Sequence, residues 1–185
     1  MSSRLWSRPP APLRAMPATG LTLRPMTVAL LDGVATVEQA AYAFPWSRGN
    51  FVDSLAAGYL GEVLLGDSLA LPVGYYVAMP GVEELHLLNI TVAPAHQRQG
   101  HGRALLERII GRGRQLNART LWLEVRGSNE PARRLYEQRG FRAIGVRRGY
   151  YPAPLGERED AMVMSLDLGR GASGPAAAVD EQGGT

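Results

Sequence analysis

The stretch from Asn89 to Leu106 limits the possible folds most strongly, because an apolar strand pattern runs straight into an arginine- and glycine-rich turn that opens a helix. The glycines at positions 100 and 102 let the backbone of this turn approach a ligand closely. Free amide groups at the helix start and the helix dipole both favour negative charge there. We therefore expect an α/β fold with an anion site that suits a pyrophosphate.

Two other nucleotide-binding motifs fit this turn poorly. A Walker P-loop needs a lysine after its second glycine, and this chain contains no lysine, since all 20 of its Lys and Arg residues are arginine. A Rossmann fingerprint needs a third glycine, and Leu105 stands in its place, although Glu124 lies near the expected position of the acidic partner. The first motif is excluded and the second is disfavoured. A plain glycine-rich turn with a solvated arginine remains an alternative.

A strand is predicted over Thr120–Val125, because apolar and other side chains alternate along it. Glu124 then shares a face with the aromatic residue Trp122. Partial removal from water favours proton uptake by a carboxylate, so Glu124 is a candidate general base. A solvated glutamate on an edge strand is the alternative.

A short capped helix follows this strand. Ser128 or Asn129 can cap its start, and Gly140 suits the left-handed residue after its end. Tyr136 falls on the inward-facing stripe, so we expect it to be half-buried with its hydroxyl available. Such a tyrosine could serve as an acid or simply as a packing residue.

The remaining pattern predicts an α/β order in which strands and helices mix. Gly111 and Gly113 lie late in the helix that follows the turn and should weaken its last turn, and Asn117 should mark its exit. Earlier elements are expected as a strand near 21–26, helices near 30–43 and 46–57 (the second opened by Ser47), and strands near 63–65, 72–79 and 85–92, with a final pair of strands at the end.

Taken together, short blocks from about Leu21 to Leu168 resemble the GCN5-related N-acetyltransferases. Gln97 to Gly102 matches the acetyl-CoA pyrophosphate loop of that family, Q/R-x-x-G-x-G/A. Within the family, the resemblance is to the branch that acetylates the N-terminal alanine of a ribosomal protein. The blocks lie at residues 43–47, 89–92, 97–107, 120–126, 135–137, 140–141, 147–152 and 158–161.

The resemblance implies a single domain with the GNAT fold, a mixed central β-sheet flanked by helices on both faces. It implies acetyl-CoA as co-substrate without a metal, and as acceptor the α-amine of the N-terminal alanine of the eighteenth small-subunit ribosomal protein. Glu124 would be the base and Tyr136 the acid for the departing thiolate. Because the chain has no cysteine, the amine should attack acetyl-CoA directly. A different amine acceptor, or a noncatalytic CoA-binding module, is the alternative.

The resemblance also implies the residues that hold acetyl-CoA. Asn129 would contact the CoA arm, unless it is only a helix cap. Backbone groups of Ile90, Thr91 and Val92 would pair with the pantetheine arm like an added strand, and the loop residues Arg98, Gln99, Gly100, His101, Gly102 and Arg103 would bind the pyrophosphate.

The basic N-terminal tail of the implied acceptor would need an acidic groove. Tyr150 and Tyr151 could close over its first residues and leave room for a small side chain only. The residues expected to line the groove, unless they are ordinary solvated acids, are Glu83, Glu84, Glu157, Glu159 and Asp160.

Length and composition suggest one domain over 20–168, a flexible N-terminal extension over 1–19 and a disordered tail over 169–185. The first twenty residues lack an apolar run of about seven residues, so neither a secretory signal nor a membrane anchor is expected. With the implied ribosomal acceptor, this favours a cytoplasmic protein.

Neither a metal site nor direct nucleic-acid binding is expected. His86, His96 and His101 are scattered over different elements without metal-ligand spacing, and His101 should be a spacer that points to solvent. The net charge of +3 could attract nucleic acid, but the arginines are dispersed along the chain. Arg147 and Arg148 are either a solvated strand end or a contact for CoA phosphates or the ribosomal particle.

Overall fold

Residues 20–66 and 71–169 are described by the computed structural model, and they form one seven-stranded sheet with four α-helices. The predicted tails therefore lie outside the described residues, apart from Gly169. The strands are β1 (Thr22–Pro25), β2 (Leu60–Leu65), β3 (Pro72–Pro80), β4 (Glu84–Val92), β5 (Thr120–Arg126), β6 (Arg142–Pro152) and β7 (Arg158–Asp167), and the helices are α1 (Leu31–Ala41), α2 (Arg48–Ala56), α3 (His101–Gln115) and α4 (Glu130–Glu137).

The sheet has the order β1-β2-β3-β4-β5-β7-β6. Strands β4 and β5 are parallel to each other, and every other pair of neighbouring strands in the sheet is antiparallel. On one face, α1 and α2 bury Leu31 and Phe51 against Tyr75 of β3. On the other face, α3 and α4 bury Leu105 and Tyr136 in the larger core. The predicted mixed sheet with helices on both faces is confirmed. Within the described residues, no helix is long and apolar enough to cross a bilayer.

Local capping signals set the helix boundaries. Ser47 caps α2, accepting a hydrogen bond from the amide of Asn50, whose side chain accepts one from the Ser47 amide in return. Gly140 follows α4 with φ of +88°, which glycine adopts without strain. Asn117, with φ of +57°, marks the exit of α3 as predicted. Gly113 lies inside α3, and a Cβ added there would come within 2.6 Å of the Leu168 side chain. The glycine therefore allows α3 to pack closely against Leu168.

The feature that builds the site is a bulge in β4. Val77 pairs with Asn89, but Ala78 pairs with Leu87, so Leu88 is an extra residue that bends β4. The parallel pairing of β4 with β5 ends at Leu87 and Leu123. Beyond this point the two strands part. We call the space between residues 89–92 and 124–126 the β4–β5 gap.

Candidate active site

One wall of the β4–β5 gap is made of main-chain groups. The amide of Ala93 donates to the carbonyl of Val73 at 2.9 Å, which makes these residues a hydrogen-bonded pair of the antiparallel ladder. Such pairs alternate, so the main chain of Thr91 faces β3, while that of Ile90 and Val92 faces the gap. Of the three residues predicted to pair with the pantetheine arm, Ile90 and Val92 are thus turned to the gap and Thr91 is not.

Two side chains approach these gap-facing carbonyls. The hydroxyl of Tyr42 lies 3.4 Å from the carbonyl oxygen of Ile90. The side-chain amide of Gln97 donates to the carbonyl of Val92 at 3.2 Å. Both contacts agree with the orientation that the ladder assigns to Ile90 and Val92.

The predicted pyrophosphate loop forms an exposed turn directly after β4. Arg98 and Gly100 have positive φ angles of +61° and +88°, so the loop is curved in the manner of main-chain anion sites. The first intrahelical bond runs from the amide of Ala104 to the carbonyl of Gly100 at 3.0 Å. The amides of residues 101–103 belong to the first turn of α3, where amides have no partner within the helix. An added Cβ on Gly102 would lie 3.7 Å from both Leu135 and Val92, between α4 and the end of β4.

The side chains of His101 and Gln99 make contacts within the turn. His101 is half-buried and packs edge-on against His96, with ring centroids 6.4 Å apart. Burial lowers the pKa of His101, and the charge of a protonated His96 lowers it further. The side-chain amide of Gln99 donates back to the carbonyl of Ala95 at 3.3 Å. His101 was expected to point to solvent, whereas its ring is half-buried and packs against His96.

The carboxylate of Glu124 lies on β5 beside the gap, with a side chain only 15% exposed. It is not alone there, because Nη2 of Arg147 is 3.1 Å from its Oε1. The hydroxyl of Tyr151 donates to the main-chain carbonyl of Glu124 at 3.0 Å. Both partners come from β6. Apart from the Arg147–Arg148 pair, no local sequence pattern indicated this contact.

Tyr136 is more deeply buried than expected, with 6% of the residue exposed, and its ring packs against Phe141 at 5.6 Å between centroids. Burial raises the pKa of the Tyr136 hydroxyl, and charge on the hydroxyls of Tyr42 or Tyr151 would raise it further. The phenol is therefore protonated over the physiological range, as a proton donor must be.

Asn129 caps α4, with its side-chain oxygen accepting from the amide of Ala132 at 3.2 Å. The capping role considered for this residue is therefore present. A contact with the CoA arm stays a prediction.

Some of the residues expected around the acceptor peptide lie near Glu124, and others lie far from it. Tyr150 is 41% exposed, and Tyr151 packs edge-on against it and under the guanidinium of Arg126. Glu159 lies at the same end of the sheet, with its carboxylate 3.1 Å from Arg126. Glu84 pairs with the first residue of β5, four residues along the strand from Glu124, which places it about 13 Å away.

Two more of the acidic candidates, Asp160 and Glu83, have partners. Asp160 accepts from the amide of Gly149 at 2.7 Å, and Glu83 forms a 2.8 Å ion pair with Arg119. Because Glu83 and Glu84 lie toward the opposite end of β5 from Glu124, the five acids do not line one groove beside it. Among these same residues, no cluster of three or more His, Asp or Glu side chains could hold a metal ion.

A parted sheet, a glycine turn before a helix and a carboxylate beside the parted strands are features that suit an acyl-transferring enzyme. Residues 31–141 match the profile of the Acetyltransferase (GNAT) family, and the chain belongs to that family.

Individual relatives agree. The chain is 42% identical over 132 residues to the [ribosomal protein bS18]-alanine N-acetyltransferase of Escherichia coli K12, covering 71% of this chain and 87% of the relative. The crystal structure of the Escherichia coli ribosomal-protein-S18-alanine N-acetyltransferase superposes with a TM-score of 0.76 at 37% identity, covering 84% of this chain and 99% of that one. The Salmonella typhimurium protein yncA, solved with its cofactor acetyl-CoA, shares the fold with a TM-score of 0.66 at 20% identity, over 85% of this chain and 99% of its own.

Proposed function

We propose that this protein transfers the acetyl group of acetyl-CoA to the α-amine of the N-terminal alanine of ribosomal protein bS18. The observation that carries the proposal is the β4–β5 gap, which has Glu124 on one wall and main-chain groups of Ile90 and Val92 on the other. The 42% identity to an enzyme named for this reaction supports the choice of acceptor.

Acetyl-CoA fits the residues around the gap. The amides and carbonyls of Ile90 and Val92 can pair with the amide groups of a pantetheine arm, as an added strand would. The curved loop over 98–103 and the first turn of α3 favour the pyrophosphate. When bound, acetyl-CoA supplies the thioester that is attacked, and the amide of Asn129 is a further contact for its arm.

The chemistry needs only modest help from the protein. An α-amine has a pKa of about 8 and a thiol about 8.5, so both are near their reactive forms at neutral pH. Glu124 takes a proton from the attacking amine, directly or through a water. The new C–N bond forms as the C–S bond breaks, and Tyr136 gives its proton to the departing sulfur.

The acceptor end of the gap suits a short extended peptide with a small first side chain. Tyr150 and Tyr151 stand beside Glu124, and their paired rings limit the space for the first residue. Replacing Tyr150 by Ala should therefore reduce discrimination between peptides that begin with Ala and with Leu. Unchanged discrimination would refute this role. A ribosomal acceptor also implies action in the cytoplasm.

The decisive experiment measures CoA release from acetyl-CoA with two hexapeptides. One copies the bS18 N-terminus with a free α-amine, and the other is identical except that its α-amine is blocked and it carries an internal lysine. Turnover of the first alone, lost in Glu124→Gln, is the expected result. Turnover of the second would assign the enzyme to the lysine-acetylating class. Silence on both, with tight CoA binding, would favour a small-amine acceptor or a noncatalytic module.

A further inference from the structure

A buried network of polar side chains lies beneath β4 on the α1 side of the sheet. At its centre is Glu38 of α1, which is 2% exposed. Its carboxylate accepts hydrogen bonds from the amide of Trp46 at 2.9 Å, from the side chain of Asn89 at 3.3 Å and from the hydroxyl of Tyr75. The reaction proposed above uses none of these groups.

The network gives the hydroxyl of Thr91 more than one possible acceptor. Thr91 is 3% exposed and has one proton to donate. Its nearest acceptor is the side-chain oxygen of Asn89 at 2.9 Å, while the carboxylate of Glu38 is 3.4 Å away. Because Asn89 gives its NH₂ group to Glu38, its oxygen is turned to Thr91. The Thr91 hydroxyl is also placed to donate to the hydroxyl of Tyr42, 3.1 Å away. When Thr91 gives its proton to Asn89 instead, its oxygen can accept from Tyr42.

Tyr42 thus has one proton and two acceptors. One is the Thr91 hydroxyl, and the other is the gap-facing carbonyl of Ile90 at 3.4 Å. Burial raises the pKa of Tyr42, so the phenol keeps its proton. The Ile90 carbonyl is also the group that the pantetheine arm requires, which puts Tyr42 and acetyl-CoA in competition for it.

We propose that Tyr42 is a positioning residue that exchanges hydrogen-bond partners when acetyl-CoA binds, leaving the carbonyl of Ile90 and donating to Thr91. Asn89, oriented by Glu38, can take the Thr91 proton, which leaves the Thr91 oxygen as the second acceptor for Tyr42. The phenol then loses no hydrogen bond when the carbonyl passes to the ligand. The proposal rests on the proposed function, because it requires acetyl-CoA in the β4–β5 gap.

Calorimetric titration of the full chain with acetyl-CoA tests the exchange without relying on turnover. Thr91→Val removes the second acceptor and keeps the side-chain shape, so Tyr42 must give up its only partner. The dissociation constant should rise about fivefold, as expected for one neutral hydrogen bond. Tyr42→Phe removes the competitor and should not weaken binding.

The double variant, Tyr42→Phe with Thr91→Val, distinguishes a loss of the partner exchange from a distortion of β4. With Tyr42→Phe already present, Thr91→Val should have no further effect, and the dissociation constant should return to within about twofold of that of Tyr42→Phe. Thr91→Ser keeps the hydroxyl as an acceptor, so this single variant should bind acetyl-CoA as tightly as the unchanged protein. If Thr91→Val does not fold, Thr91→Ala takes its place in the cycle.

Three results would overturn the proposal. Equal affinity of Thr91→Val and the unchanged protein would show that the second acceptor is not used. A double variant as weak as Thr91→Val would assign the loss to a distorted strand. If the unchanged protein failed to bind acetyl-CoA, the proposed function would fall as well, which distinguishes that failure from the other two.

Discussion

Nη2 of Arg147 lies 3.1 Å from Oε1 of Glu124, so the candidate base is tied to β6, two strands away in the sheet. The arginine side chain is 56% exposed, and ion pairs with a solvated partner contribute at most about 1 kcal/mol. An incoming α-ammonium group carries the same charge as the guanidinium. The acceptor amine can therefore replace Arg147 beside Glu124 at little energetic cost.

Glu124→Gln should lower kcat by about a hundredfold or more, because the amide cannot take a proton from the attacking amine. The dissociation constant for acetyl-CoA should change by less than about twofold, since its proposed main-chain contacts lie on the opposite wall of the gap. Steady-state assays together with calorimetry would measure both. Glu137→Gln, on the exposed side of α4, is the matched control and should retain full activity. Retained kcat in Glu124→Gln would contradict the assignment.

Tyr136→Phe should lower kcat by about a hundredfold if the phenol protonates the leaving thiolate. Burial raises the pKa of Tyr136 above its ordinary value of 10.0, so the donor form persists through neutral and mildly alkaline solution. The kcat of the unchanged enzyme should therefore show no alkaline decline below pH 10. A pH–rate profile measures this, with Tyr59→Phe on the other face of the sheet as control. A decline centred near pH 8 would argue against Tyr136 as the acid.

The ion pair of Glu62 and Arg108 should make the free energy of unfolding depend on pH in the acid range. Glu62 accepts two hydrogen bonds from Arg108 at 2.7 and 2.8 Å and one from Tyr76 at 2.6 Å. Burial raises the pKa of Glu62, but these hydrogen bonds outweigh it and hold the pKa below its ordinary value of 4.5. A lowered carboxyl pKa contributes stability above pH 4.5 that is lost as the pH falls through the folded-state value.

Glu62→Gln should accordingly lower the free energy of unfolding by about 2 kcal/mol at pH 7, with the difference narrowing below pH 4.5. Urea unfolding across this range would measure it. Glu130→Gln breaks an exposed pair with Arg134 instead and should change stability by less than about 0.5 kcal/mol. An effect of Glu62→Gln that is equally large at pH 3.5 would refute the linkage.

The two late glycines of α3 should respond oppositely to alanine. No atom lies within 4 Å of a Cβ built on Gly111, so Gly111→Ala should stabilise the helix by about 0.5 to 1 kcal/mol. At Gly113 the new methyl group would meet Leu168 at 2.6 Å, and overpacking there should destabilise by about 1 to 2 kcal/mol. Thermal melts of the two variants should shift in opposite directions. Shifts of the same sign would contradict the packing argument.

The features that the sequence predicted well are those set by nearby residues. The cap at Ser47, the glycine turn at Gly100 and the alternation around Glu124 each depend on a few neighbours, and each lies in the structure where it was expected. The elements differ from expectation mainly in their ends, as in β2, which begins at Leu60 rather than near Val63.

The relations that the sequence could not predict join distant segments. Glu38 meets Tyr75 across 37 residues and Thr91 across 53, and no local pattern marks a buried glutamate as part of a network. The orientation of Thr91 depends on the ladder register, which a bulge at Leu88 shifts by one residue. Predicting the contact of Arg147 with Glu124 likewise requires knowing that β5, β7 and β6 are neighbours in that order.

The parting of β4 from β5 has a consequence for how the protein can change. The wall that Ile90 and Val92 present to the gap consists of peptide groups, which every residue except proline carries in full. Most point mutations at these positions therefore leave the hydrogen-bonding edge intact. Side chains around the proposed acceptor site can therefore change during evolution, and the substrate with them, while the proposed main-chain contacts to acetyl-CoA are retained.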